Sequence, residues 1–379
     1  MLNKISGFDG IRALAVIAVV LTHLHVFEAA REAGWLNAQA LKMIDGAAGV
    51  QAFFVLSGFL ITTLLIREYE ETGTISIFAF VIRRTLRIFP LYIAFLLAIT
   101  VLHVFGRSVT TWDSLLYAYL YAYNFIPIDT YTPVLGHTWS LAVEEHFYLL
   151  WPAVFLLLFA RSRGILSLTL VAFIIGAPFL HLLIIKSGFA ADYFVERWSF
   201  IAGSAIAVGC LFSILLHNNR AADKLQNFAS KPLTLVTAII LFSNSIYLAS
   251  DSWFFQNILS NQLRILGLAL FVAWTYTNQS SRLTQLLETR PLKHIGAISY
   301  GIYMYQGFFL ATGPHRAPHA TWPPPPELGL LCLLVIAPAS YHFFEKPFLR
   351  LKHRYSSPGR AALERTSAGV PKLPARAGE

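Results

Sequence analysis

Charge is scarce in this chain. Only 13% of its 379 residues are Asp, Glu, Lys or Arg, where an ordinary soluble domain carries about 25%, and 56% are hydrophobic. That balance excludes a soluble globular protein and places the chain in a membrane. Cysteine is scarcer still. Cys210 and Cys332 both fall in apolar stretches, where a thiol acts as a small hydrophobe, so neither a disulfide framework nor a metal site is expected. No cleavable signal peptide is expected to be needed, because the first apolar run is too long for an h-region and lacks an A-x-A-like exit. No internal repeat is visible, and no second soluble domain fits beside the apolar runs.

What is present is a series of apolar runs of the length that crosses about 30 Å of hydrocarbon. They lie near residues 8–27, 48–66, 88–105, 140–160, 164–185, 199–216, 232–249, 258–276, 294–311 and 327–345. The fold class is therefore an all-α polytopic membrane protein with about ten transmembrane helices. A further apolar stretch at 114–126, SLLYAYLYAYNFI, is too short to cross and reads as re-entrant or interfacial. With the N-terminus inside, 21 of the 29 Lys and Arg fall on cytoplasmic segments and 6 on outer loops. Both termini are then cytoplasmic. The net charge of +9 is mostly this bias and gives no reason to expect nucleic acid as a partner.

The first span keeps polar groups that lipid would reject, since a charge at the bilayer centre costs about 2.5–3.5 kcal/mol. Arg12 and His23 are eleven residues apart, which on a helix is about 20° from three full turns and about 16 Å along the axis. They share a face at opposite depths. Asp9, three residues before Arg12, can pair with it. His25 falls about 220° round from Arg12 and points away. Snorkelling of Asp9 and Arg12 to the interface explains the same residues without a function.

Two further clusters fall at the ends of this axis. The stretch HTWSLAVEEHFYLLWP at 137–152 opens a span at the outer face, so Glu144 and Glu145 enter at the depth of His23. A carboxylate beside an imidazole fixes its tautomer and raises its basicity, as a general base requires. The glutamates point about 100° apart, so one faces His23 and the other takes a different partner. An interfacial acidic pair among Trp139, Phe147, Tyr148 and Trp151 is the bland alternative. At the inner face, VIRRTLRIFPLY at 81–92 carries Arg83, Arg84 and Arg87 ahead of Pro90. Three guanidiniums suit phosphate docking, and positive-inside anchoring accounts for them equally well. The separation of about 16 Å matches the reach of a phosphopantetheine arm, so a thioester donor held from inside could deliver its acyl group outward.

These segments resemble the membrane-bound acyltransferase family 3. The resemblance rests on FDGIRALAVIAVVLTHL with its R-x10-H spacing, FFVLSGFLI at 53–61, RRTLRIFPLY, HTWSLAVEEHFYLLWP, ISYGIYMYQ at 298–306 and FFEKPF at 343–348, and covers essentially residues 5–350. It implies transfer of acyl groups, mostly acetyl, to hydroxyls of carbohydrates at bacterial surfaces. It implies that His23 is catalytic, that Arg12 is essential, and that the arginines of the RRxxR stretch act near the donor. Gln306 stands where the family commonly has histidine. Ser57 is not in a G-x-S-x-G elbow, and with Gly58 it reads as a close helix contact rather than a nucleophile.

The resulting expectation is an O-acyltransferase of the bacterial inner membrane. Acyl coenzyme A, acetyl coenzyme A first, is the co-substrate; no cofactor is permanently bound, and a cell-surface carbohydrate is the acceptor. His23 is the base, Glu144 or Glu145 its orienter, and Arg12, Arg83, Arg84 and Arg87 hold the donor. Asp9, Ser57, Tyr92 and Trp139 are supporting residues. Attack is direct, with an acyl-His23 intermediate as the alternative. Residues 1–350 form the transmembrane domain and 351–379 a disordered cytoplasmic tail. Should the acceptor need an outer hydrolase-like domain for handover, a separate protein supplies it. A transporter with a polar cavity is the competing class, though no inverted repeat supports it.

Overall fold

Helix α1 (Phe8–His23) is followed by α2 (Gly46–Thr72), whose start is fixed by Asp45, which accepts a hydrogen bond from the Ala48 N–H. Ser76 caps α3 (Ile77–Val104) in the same way through the Ala79 N–H, and Thr111 caps the short α4 (Trp112–Tyr119) through Ser114 N–H. Next come α5 (Thr138–Phe159), α6 (Arg163–Ser187), α7 (Ser199–Leu216), α8 (Ala222–Ser230) and α9 (Pro232–Phe242). A π-helical turn, Phe255–Leu259, leads into α10 (Ser260–Thr277). The chain closes with α11 (Arg282–Leu287), α12 (Arg290–Ala297), α13 (Ser299–Phe309), α14 (Pro326–Ser340) and α15 (Lys346–Leu351). This computed structural model describes residues 5–26, 32–34, 45–217, 222–244, 254–310, 324–351 and 355. The expected tail beyond residue 351, apart from residue 355, and most of the proline-rich connector at 313–329 lie outside them.

The protein is an all-α polytopic membrane protein. All ten expected positions hold helix, yet among the described residues six segments are long and apolar enough to cross a membrane by themselves. A seventh arises if α8 and α9, bent by 73° at their junction, count as one span. Helices α1 and α13 are shorter, at 16 and 11 residues, and both carry the polar groups described below. Helix α4 is too short to cross, as expected of its segment. The Tyr92 hydroxyl donates to the Ala118 carbonyl at 2.7 Å and ties α4 to α3.

Two boundaries differ from expectation. The third span begins at Ile77, so Arg83, Arg84 and Arg87 lie inside a helix rather than ahead of one, and Pro90 is carried within it. Neighbouring helices in a membrane protein can support such an interruption. Helix α1 ends at His23, and His25 sits in a left-handed turn with φ 54°, so the helical angle assigned to His25 does not apply.

Packing places α2 and α7 at the centre. The α2 window is 72% buried and that of α6 only 17%. Leu168, Phe179 and Leu183 of α6 are largely exposed, the outward apolar face that lipid requires. A Cβ on Gly58 would fall on the Ile206 carbonyl, and one on Gly209 on the Val55 carbonyl, so the two helices touch backbone to backbone.

Candidate functional site

Helix α1 threads two cavities. The first, about 100 Å³, is lined by Arg12, Arg84, Arg87, Ser57, Glu144 and Tyr148. The second, about 860 Å³, is lined by His23, His137, Trp139, Arg197, Arg264 and Gln306 among others. Val50, Phe54 and Tyr303 line both, so a single layer of side chains separates them.

In the arginine cavity, Arg12 Nη1 donates to Asp9 Oδ1 at 2.8 Å, the pairing expected from their spacing. Arg84 stacks on Phe80 and Tyr148, each ring centroid 5.5 Å from its Cζ. Among the described residues, neither Arg84 nor Arg87 forms an ion pair. Glu144 Oε2 accepts from the Tyr148 hydroxyl at 3.2 Å, and that hydroxyl lies 2.5 Å from Ser57 Oγ. Three guanidiniums against two carboxylates leave this buried site net positive, which favours an anion.

Arg83 does not join them. It pairs with Glu68, 3.0 Å away, and donates to the Tyr355 carbonyl. Helical register separates the glutamates. Glu144 lines the arginine cavity, while Glu145 is buried with its Oε1 unbonded among the described residues. The expected contact between His23 and a glutamate is therefore not formed. His23 Nδ1 instead lies 2.9 Å from the Val19 carbonyl. Ser57 lines the cavity while its neighbour Gly58 makes the close helix contact. Tyr92 is a buried bridge to α4, stacked on Tyr121 at 4.3 Å.

In the histidine cavity, Trp139 meets Phe54 edge-on at 5.9 Å. The Arg197 guanidinium lies against Phe194, Tyr131 and Trp139, at 4.0, 5.3 and 5.7 Å. Arg264 donates to Gln51 at 2.8 Å and pairs with Asp45 at 3.4 Å, and Gln51 bonds Asn261. Sequence reading assigned no role to His137, Arg197 or Arg264. A signal existed for Arg264, a charge inside an apolar run, and for His137, the first residue of the HTWSL stretch. Among the described residues, no cluster of His, Cys, Asp and Glu is arranged to hold a metal ion.

The chain is 26% identical over 320 residues to the peptidoglycan O-acetyltransferase OatA of Listeria monocytogenes, covering 79% of this chain and 48% of that protein. It is 27% identical over 369 residues to a putative peptidoglycan O-acetyltransferase, YrhL, of Bacillus subtilis, covering 90% and 54%. A putative O-acetyltransferase of Staphylococcus aureus matches at 26% over 377 residues, covering 92% and 58%. The chain thus spans about half the length of the curated relatives it matches. No solved structure matches it. The model of the acyltransferase domain family matches residues 5–342, nearly the whole chain, and the chain belongs to that family.

Proposed function

We propose that this chain is an O-acyltransferase that moves an acetyl group from acyl coenzyme A, docked at the arginine cavity, to a carbohydrate hydroxyl in the histidine cavity. The observation that carries this reading is the pair of cavities at opposite ends of α1, cationic at one and imidazole-bearing at the other, separated only by Val50, Phe54 and Tyr303. Arg12, Arg84 and Arg87 hold the donor's phosphates by bidentate hydrogen bonds. The acyl-bearing arm passes Phe54 and Tyr303. His23 takes the proton of the attacking hydroxyl and returns it to the departing thiolate. Relatives named for peptidoglycan make a cell-envelope carbohydrate the acceptor.

Lys and Arg bias puts the arginine cavity on the cytoplasmic side, where coenzyme A is found, and both termini with it, in a bacterial inner membrane. Residues 1–350 constitute the transmembrane acyltransferase domain. An outer-face partner completes the handover to the acceptor.

The test uses detergent-purified protein with acetyl coenzyme A and soluble peptidoglycan fragments, with thiol release followed by absorbance and ester formation by mass spectrometry. Donor binding by calorimetry and ester formation that disappears in His23→Ala are expected. Absence of both donor binding and thiol release in the unmodified protein would overturn the proposal.

A further inference from the structure

Four side-chain atoms at one corner of the histidine cavity lack a hydrogen-bond partner among the described residues. They are Nδ1 and Nε2 of His137 and Oε1 and Nε2 of Gln306. Gln306 is 0% exposed and His137 7%. An unpaired buried polar group costs about 1–3 kcal/mol, so native proteins retain few, and each calls for an explanation.

The corner is built rather than accidental. The His137 ring is held between Phe95 and Tyr303, at 5.2 and 5.6 Å and edge-on to both. Its backbone is pinned, because the Tyr303 and Ser140 hydroxyls each reach the His137 carbonyl oxygen at 3.1 Å. The ring rests on Gly307, where a Cβ would coincide with it. Gln306 precedes that glycine and stands one turn from Tyr303 on the same helix face. His23 lines the same cavity.

We infer that His137 and Gln306 are the oxyanion donors of the acyl transfer, presenting a ring N–H and the amide Nε2–H to the carbonyl oxygen of the moving acyl group. This rests on the proposed function. The acceptor oxygen bonds to the thioester carbonyl carbon while its proton passes to His23 Nε2, and the carbonyl π pair moves onto oxygen, where the two donors stabilise it. Collapse breaks the carbon–sulfur bond, and the thiolate takes the proton from the His23 imidazolium. Donors aimed at developing charge in a water-free corner are the arrangement that speeds such a step.

Two variants keep shape while removing the donors: Gln306→Leu and His137→Phe. Each should lower kcat for acetyl transfer to soluble peptidoglycan fragments by about 10²-fold, the typical loss of one oxyanion donor, with KM for the fragments unchanged. Each should also raise the melting temperature of the detergent-purified chain, since an unpaired buried polar group is removed. A lowered melting temperature would mean that the residue is structural and would overturn the inference. So would an unchanged kcat in a chain whose unmodified form transfers acetyl. An unmodified chain that binds acetyl coenzyme A but transfers nothing would fail the transfer reading and this inference together, whereas active variants alone would fail only the latter.

Discussion

His23 Nδ1 lies 2.9 Å from the carbonyl oxygen of Val19, one turn back along the same helix. A carbonyl can only accept, so Nδ1 carries the proton in the neutral ring and Nε2 keeps its lone pair on the cavity side. The tautomer suited to a base is set by α1 itself, and among the described residues no carboxylate bonds the ring.

His23→Ala should therefore lower transfer by about 10²–10⁴-fold while the protein still inserts in the membrane. His25, outside the helix at φ 54°, lines neither cavity, and His25→Gly should keep most of the activity. Initial rates on membranes containing matched amounts of each variant decide this. Equal loss in both would remove His23 from the role of base.

The arginines should separate by face. Arg87→Lys and Arg84→Lys keep the charge but lose the bidentate fork, so each should weaken acetyl coenzyme A binding by calorimetry. Arg83→Gln should leave donor affinity unchanged, because Arg83 is engaged with Glu68 away from the cavity. Its cost is confined to stability, at about 1 kcal/mol or less for a part-exposed pair. Weakened binding in Arg83→Gln, with none in the other two, would reverse the assignment.

The glutamates offer a similar contrast. Glu144 lines the arginine cavity, so Glu144→Gln removes a charge that repels phosphate and should tighten donor binding by about 5-fold, the equivalent of about 1 kcal/mol. Glu145→Gln should leave the donor Kd unchanged, since Glu145 lines neither cavity. Isothermal titration with acetyl coenzyme A distinguishes the two.

Contact between α2 and α7 sets the stability of the whole bundle. Gly58→Ala and Gly209→Ala each place a methyl against an opposing carbonyl and should destabilise by about 1–3 kcal/mol, read as a lowered melting temperature in detergent. Ser57→Ala, next to Gly58 but facing the cavity, should leave the melting temperature nearly unchanged. An effect of Ser57→Ala as large as that of Gly58→Ala would place Ser57 in the helix contact.

The membrane class, the all-α architecture and the pairing of Asp9 with Arg12 were legible in the sequence. Apolar runs and short-range helical spacing are properties of consecutive residues, and lipid leaves a chain few other ways to satisfy its backbone. The same spacing placed Arg12 and His23 on one face, and they line cavities at the two ends of α1. Register between helices was not legible. Whether Glu144 meets His23 or enters the arginine cavity depends on how α5 is rotated and raised against α1 and α2, and packing over many side chains sets that. Only the tertiary structure turned Arg83 away from Arg84 and Arg87, joined Arg264 to Asp45 across more than two hundred residues, and brought His137 over Gly307. Those relationships are long-range, and a helical pattern specifies which face a residue occupies without specifying what that face will meet.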